Sequence, residues 1–214
     1  IDMAEGEYLQ FVDSDDWISP DATKRFVKTA QENGCDLVIA DFYRVIGKRL
    51  SPKGNIDEAG PFSREKYAAF MMESPADFYY GVLWNKLFRR EIVEKYGLRM
   101  DPSVSWCEDF MFNLEYIRHA KVFCAIQIPL YYYVKTKGSL ASQGMNFSRT
   151  VRMKRDVFDC YNNFYKNIFS EEDYEKSRFQ VYRFLIDAAG DGTLSLGAKK
   201  LENRLYISME ALGG

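Results

Sequence analysis

Gly6-Glu7-Tyr8-Leu9-Gln10-Phe11-Val12-Asp13-Ser14-Asp15-Asp16-Trp17 is the stretch that decides how this chain is read. Tyr8 to Val12 is aromatic and β-branched and runs into an aspartate, the pattern of a buried, interior strand emptying into a loop. Asp13, Asp15 and Asp16 then crowd into one tetrad. Their charges repel, so the cluster costs free energy unless a cation or hydrogen-bond donors offset it. Hard divalent ions such as Mg²⁺ and Mn²⁺ favour such oxygens and keep positions open for substrate phosphates. The carboxyl end of a buried strand is also where α/β sheets place ligands. Asp-x-Asp is a common pairing, however, and a solvated acidic turn ahead of a helix is the plainer reading of the tetrad alone.

Outward from this stretch, Ser19-Pro20-Asp21 predicts a helix start, with Ser19 as N-cap and Pro20 at the first helical position. Ala22, Phe26, Val27 and Ala30 share one helical face, and Gly34 stops the helix. Leu37 to Ile46 reads as a second strand, and residues 47–60, rich in Gly, Pro, Asn and Lys, as an exposed hairpin or loop. Ser63 caps a helix running to about Met72, Arg90 to Tyr96 forms another before Gly97, and Glu108 to His119 a third, with Phe110, Leu114 and Ile117 facing inward. Val122 to Val134 is a strand bent at Pro129.

From Phe147 the texture changes. Val151, Val157, Phe158, Tyr161, Phe164, Tyr165 and Ile168 form an apolar stripe at helical spacing, and further helices are expected near 173–189 and 198–212. The organisation expected is an α/β domain over 1–146 followed by a helical region over 147–214. A domain opening on an interior strand reads as a fragment.

Composition narrows the function classes. Of 214 residues, 47% are hydrophobic and 28% charged, enough apolar material for a true core. A net charge of −2 argues against a nucleic-acid partner, which would need a basic face. Cys35, Cys107, Cys124 and Cys160 are too scattered for a zinc site and are expected as free thiols. The most apolar stretch, Val122 to Val134, is broken by Gln127 and Pro129, so no membrane span is expected. A cytoplasmic protein follows from this reading, with peripheral association at the inner face of a membrane left open. His119 is the sole histidine and trails a helix's apolar face, so a structural role is expected and histidine-based triads are excluded.

The run Ala4 to Trp17, followed by Pro20-Asp21, closely resembles the Asp-x-Asp segment of family 2 glycosyltransferases. The resemblance continues in order: Trp84-Asn85-Lys86-Leu87-Phe88 is similar to that family's Trp-x-Lys-Leu-Phe segment, Glu108-Asp109 to its Glu-Asp motif, and Pro129-Leu130-Tyr131-Tyr132-Tyr133 with Ser139 to its Pro-Leu-Tyr-x-Tyr strand and closing loop. It covers about residues 4–142. What it implies is a GT-A α/β fold and transfer of a sugar, with inversion, from a nucleotide-sugar donor to a glycan or lipid-linked acceptor, in processes such as polysaccharide biosynthesis. Asp13 with Asp15 or Asp16 would hold the Mn²⁺ or Mg²⁺ that bridges the diphosphate. Asp109 matches the general base, with Glu108 as the alternative. Trp84 and Trp106 could face the sugar or acceptor, though a core position suits either equally; Lys135 and Lys137 could close over the diphosphate or form a solvated turn. The family's first β–α units, which bind the nucleoside base, do not precede Ile1. An exposed sheet edge and self-association as a homo-oligomer are therefore expected.

Two rivals follow from the same residues. A strand ending in Asp-x-Asp also opens haloacid-dehalogenase-like phosphatases, but those place Thr or Val where this chain has Trp17. A sugar- or partner-binding module could reuse the scaffold without turnover, which the presence of Asp13, Asp15, Asp16 and Asp109 together disfavours.

Overall fold

The computed structural model describes residues 1–74, 77–101, 107–135 and 147–187. Their elements run β1 (Tyr8–Gln10), β2 (Trp17–Ile18), α1 (Ala22–Asn33), β3 (Leu37–Ile46), β4 (Arg49–Lys53), β5 (Phe62–Ser63), α2 (Arg64–Glu73), α3 (Phe78–Gly81), β6 (Lys86–Arg89), α4 (Arg90–Lys95), α5 (Glu108–His119), β7 (Val122–Val134), α6 (Phe147–Ile168) and α7 (Glu171–Asp187). The sheet order is β1-β6-β3-β7-β2, with β4 hairpinned onto β3 and β5 paired to β7. β3 and β7 run parallel through the centre; β6 and the outer strands are antiparallel to their neighbours.

Each sheet face has its own apolar cover. On one, Ala22, Phe26 and Ala30 of α1 bury against Val38, Ala40, Leu87, Cys124 and Leu130. On the other, α2, α3, α5, α6 and α7 join the alternate residues Leu37, Ile39, Phe123 and Tyr131 in a larger cluster. The period-2 alternation of a strand is what splits β3 between two cores. From the predicted stripe, Val157, Phe158, Tyr161, Phe164, Tyr165 and Ile168 are all buried in that second core. The C-terminal helices thus share the core of the α/β part, and the Tyr165 hydroxyl donates to Ala68 O at 2.8 Å. The helix expected near 198–212 lies outside the described residues, as do the side chains of 147–154.

Two expectations need correction. β1 is an outer strand here, with only Leu9 of its three residues buried. α1 begins one turn's edge later than the Ser19 cap suggested: the Ser19 hydroxyl donates to Asp21 Oδ1 (3.2 Å) and its carbonyl accepts from Ala22, so it closes a turn ahead of the helix. β7 is irregular at Pro129, as expected: it carries extra residues there, so its pairing with β3 shifts on both sides of Asp41, from Ala40–Ile126 to Asp41–Pro129 to Phe42–Tyr131. A bulge inserts an extra residue on one strand and re-aims its side chain. Along β3, Leu37, Ile39 and Asp41 keep the alternation toward the larger core, where Asp41 meets Tyr79; it is Phe42 that departs from it and turns into the same core.

Candidate active site

The acidic tetrad leaves the carboxyl end of β1 and folds into a turn closed by Asp16 N donating to Asp13 O (3.2 Å). Phe11, just before it, packs edge-on against Phe88 and Phe112 and anchors the entering chain. The three carboxylates then separate by role. Asp16 is turned to the protein: Oδ2 accepts from the Tyr131 hydroxyl (2.8 Å) and Oδ1 from Val134 N (2.7 Å). The same hydroxyl accepts from Asp13 N (3.0 Å), so one tyrosine of β7 bolts both ends of the turn. Asp13 and Asp15 are exposed, and no described residue donates to either carboxylate.

Partial burial raises the Asp13 pKa above the usual carboxylate range, and the charges of Asp16 and Asp15 push it further. Burial also raises that of Asp16, against the pull of its hydrogen bonds from Val134 and Tyr131. Among the described residues no group of three His, Cys, Asp or Glu side chains gathers into a cage. The donor set on offer is two unspent carboxylates carrying excess negative charge. That set fits an ion which takes one or two carboxylates and completes its shell with water and phosphate oxygens.

Asp109 stands in the first turn of α5, where the helix dipole favours a carboxylate. The preceding Cys107 has φ 59°, the one non-glycine residue with positive φ among those described. L-residues rarely adopt that left-handed conformation, so the surrounding structure holds it there. Burial, then the charges of Glu108 and Asp13, push the Asp109 pKa up to about 6, against a hydrogen bond from Leu83 N–H and the charge of Lys86. That Asp13 acts on Asp109 brings the tetrad and the Glu-Asp motif together as electrostatic neighbours. Glu108 is exposed and lines a separate cavity of about 490 Å³ with Tyr96, Arg99 and Arg118.

The segment that supplies the Leu83 N–H is held by polar side chains that the sequence reading passed over. Lys86, fully buried, donates through Nζ to Tyr79 O (3.2 Å), Val82 O and Asn85 Oδ1 (2.9 Å). Asn85 Nδ2 donates to Tyr79 O (2.9 Å), and Asn113 Nδ2 to Gly81 O (2.8 Å) and Val82 O (3.2 Å). These are the carbonyls left open where short α3 ends, and buried ones must be paired. Burial drives the Lys86 pKa well below that of an ordinary lysine, with Asp109 opposing. Asn85-Lys86 between Trp84 and Leu87-Phe88 was the available signal, two polar residues inside an apolar run.

Trp84 is 3% exposed, stacked on Tyr131 (4.2 Å, 15°) and meeting Phe42 edge-on (4.8 Å, 86°). Its ring supports the tyrosine that holds the tetrad and presents no open face to a sugar. Lys135 is exposed, its N–H bonded to Val45 O (3.0 Å). Trp106 and Lys137 lie outside the described residues. His119 stacks on Tyr96 (3.7 Å, 11°) and meets Glu115 at 3.2 Å, a structural placement. None of the four cysteines is in a disulfide.

Fold and site together define an α/β protein of the GT-A kind with an acidic turn at a strand end. A family model described as glycosyl transferase family 2 matches residues 1–97 of the chain. The chain is 26% identical over 196 residues to the cholesterol galactosyltransferase of Borreliella burgdorferi, covering 84% of this chain and 54% of that one. To the poly(ribitol-phosphate) beta-N-acetylglucosaminyltransferase TarP of Staphylococcus aureus it is 25% identical over 173 residues, covering 81% and 50%. The crystal structure of S. aureus TarS 1-349 in complex with UDP-GlcNAc superposes with a TM-score of 0.64 at 17% identity, over 89% of this chain and 51% of that one. The chain spans about half the length of each of these three proteins, and about two fifths of other curated relatives it matches.

Proposed function

We propose that this chain carries the catalytic centre of an inverting glycosyltransferase that moves a sugar from a nucleoside-diphosphate sugar to an acceptor hydroxyl. The observation that carries the reading is Asp109, a half-buried carboxylate with a pKa near 6 that feels the charge of Asp13. Inversion by single displacement needs a base on the acceptor side and charge stabilisation on the leaving-group side. Asp109 takes the first role: ionised near neutrality yet basic enough to accept the hydroxyl proton as the oxygen attacks the anomeric carbon. Leu83 N–H and the α5 dipole orient it, and Lys86, Asn85 and Asn113 hold the segment that bears Leu83. Glu108, facing another cavity, is not the base in this reading.

Asp13 and Asp15 would hold Mg²⁺ or Mn²⁺; Asp16 instead keeps the turn in shape through Tyr131 and Val134. When bound, the ion supplies a positive charge opposite the departing diphosphate. The relatives' names pair different sugars with different acceptors, so a hydroxyl acceptor is the shared chemistry. The test uses the full protein with a panel of nucleotide sugars. Activity should require Mn²⁺ or Mg²⁺ and vanish in Asp15→Ala. Full activity in excess chelator would contradict the metal assignment.

A further inference from the structure

Beside the tetrad, between β3, β4 and the start of α3, lies a cleft of about 630 Å³ whose walls include Arg44, Lys53, Asn55, Asp77, Phe78 and Tyr133. Its cations are unspent. Arg44 Nε is shielded from solvent with no acceptor, and neither Arg44 nor Lys53 is ion-paired among the described residues. The one acid in the wall, Asp77, gives Oδ1 to Tyr79 N (2.7 Å) as the α3 N-cap. Asp41, beneath the residues that follow β4, sits so close to Gly54 that a Cβ there would fall 2.1 Å from Oδ1. No cation offsets its burial, so Arg44 is not committed to Asp41 either. Shielding a guanidinium nitrogen without an acceptor is unfavourable unless a ligand completes it.

The cleft also adjoins the reaction centre. Tyr133 feels the charges of Asp16, Asp15 and Asp13 on one side and Arg44 on the other. Phe78 and Tyr133 meet at 5.1 Å to form an aromatic wall, and Phe78 is 47% exposed.

We propose that this cleft seats an oxyanion borne by the acceptor, phosphate or carboxylate, with its attached sugar or polyol lying against Phe78 and Tyr133. A guanidinium fork matches either anion through paired N–H donors, and a lysine adds a point charge. The assignment to the acceptor rests on the transferase reading above; the anion site itself does not.

The test is therefore free of donor and metal. The ¹⁵N-labelled chain is titrated at fixed ionic strength with glycerol phosphate, glucuronate or neutral glucose, following the Arg44 Nε–H resonance and aromatic fluorescence. One or both anions should cause saturable change while glucose causes none, and the anion that saturates identifies the source. Arg44→Gln and the surface variant Lys53→Gln should each weaken binding, Arg44→Gln by about tenfold or more. Arg118→Gln, at a surface pair with Glu115, should bind as wild type. Equal affinity in the wild type and both cleft variants, or no saturable response, overturns the proposal. Loss of transfer chemistry alone would overturn the earlier reading and leave this result standing.

Discussion

Replacing Asp109 by Asn should make the protein more stable while disabling it. Folding raises the Asp109 pKa from 3.8 to about 6, so the folded state penalises the charged form. At ~1.4 kcal/mol per pKa unit, that shift corresponds to about 3 kcal/mol at neutral pH. The carboxylate keeps some solvent access, and halving for screening leaves ~1.5 kcal/mol. Asn retains an acceptor for Leu83 N–H and carries no charge. In a chain of this size the gain is a rise in Tm of about 3–6 °C. Its sign with pH follows from a folded pKa above the unfolded one. The wild type has its full stability below about pH 4 and loses this part as pH rises through about 6. Thermal unfolding of both proteins should therefore show the Asn variant ahead at about pH 7.5 and level at about pH 4. An Asn variant that is equal or weaker at neutral pH, or ahead by the same margin at both, would refute the reasoning.

Three further outcomes follow. Tyr131→Phe removes one hydroxyl that bonds Asp16 and Asp13 N, and should destabilise the chain by about 1–2 kcal/mol while weakening Mn²⁺ affinity, measurable by unfolding and by metal titration. Lys86→Met leaves the Val82 carbonyl to Asn113 alone and removes a donor from Tyr79 O; a loss of about 1–3 kcal/mol is expected in denaturant unfolding. Transfer activity should rise as pH passes through about 6, the pKa of Asp109, and a profile flat from pH ~5 to ~8 would count against this base.

The fold was legible where residue pattern and punctuation agree. β3, α5 and β7 fall on the predicted residues because each is a long apolar-periodic run, and Gly34 and Gly97 take the positive φ that ends α1 and follows α4. β2, β5 and α3 escaped because two to four residues carry no period. At the candidate site, the residue types singled out the tetrad and the family resemblance singled out Asp109, but which carboxylate bonds inward depends on where Tyr131 lies across the sheet. The buried set of Lys86, Asn85 and Asn113 was hidden for a related reason: their partners are backbone carbonyls at the end of α3, and a sequence does not display which carbonyls a fold leaves open. Trp84 shows the converse, an aromatic residue suited to a sugar whose ring the fold spends on Tyr131.

The most direct test of the central claim is glycosyl transfer by Asp109→Asn, measured in the full protein with saturating Mn²⁺ beside donor binding by the same sample. If Asp109 takes the acceptor proton, kcat for transfer falls by about 10²–10⁴-fold while the donor Kd stays within about threefold of wild type. Transfer within about threefold of wild type, with the variant folded, would contradict the assignment of Asp109 as base.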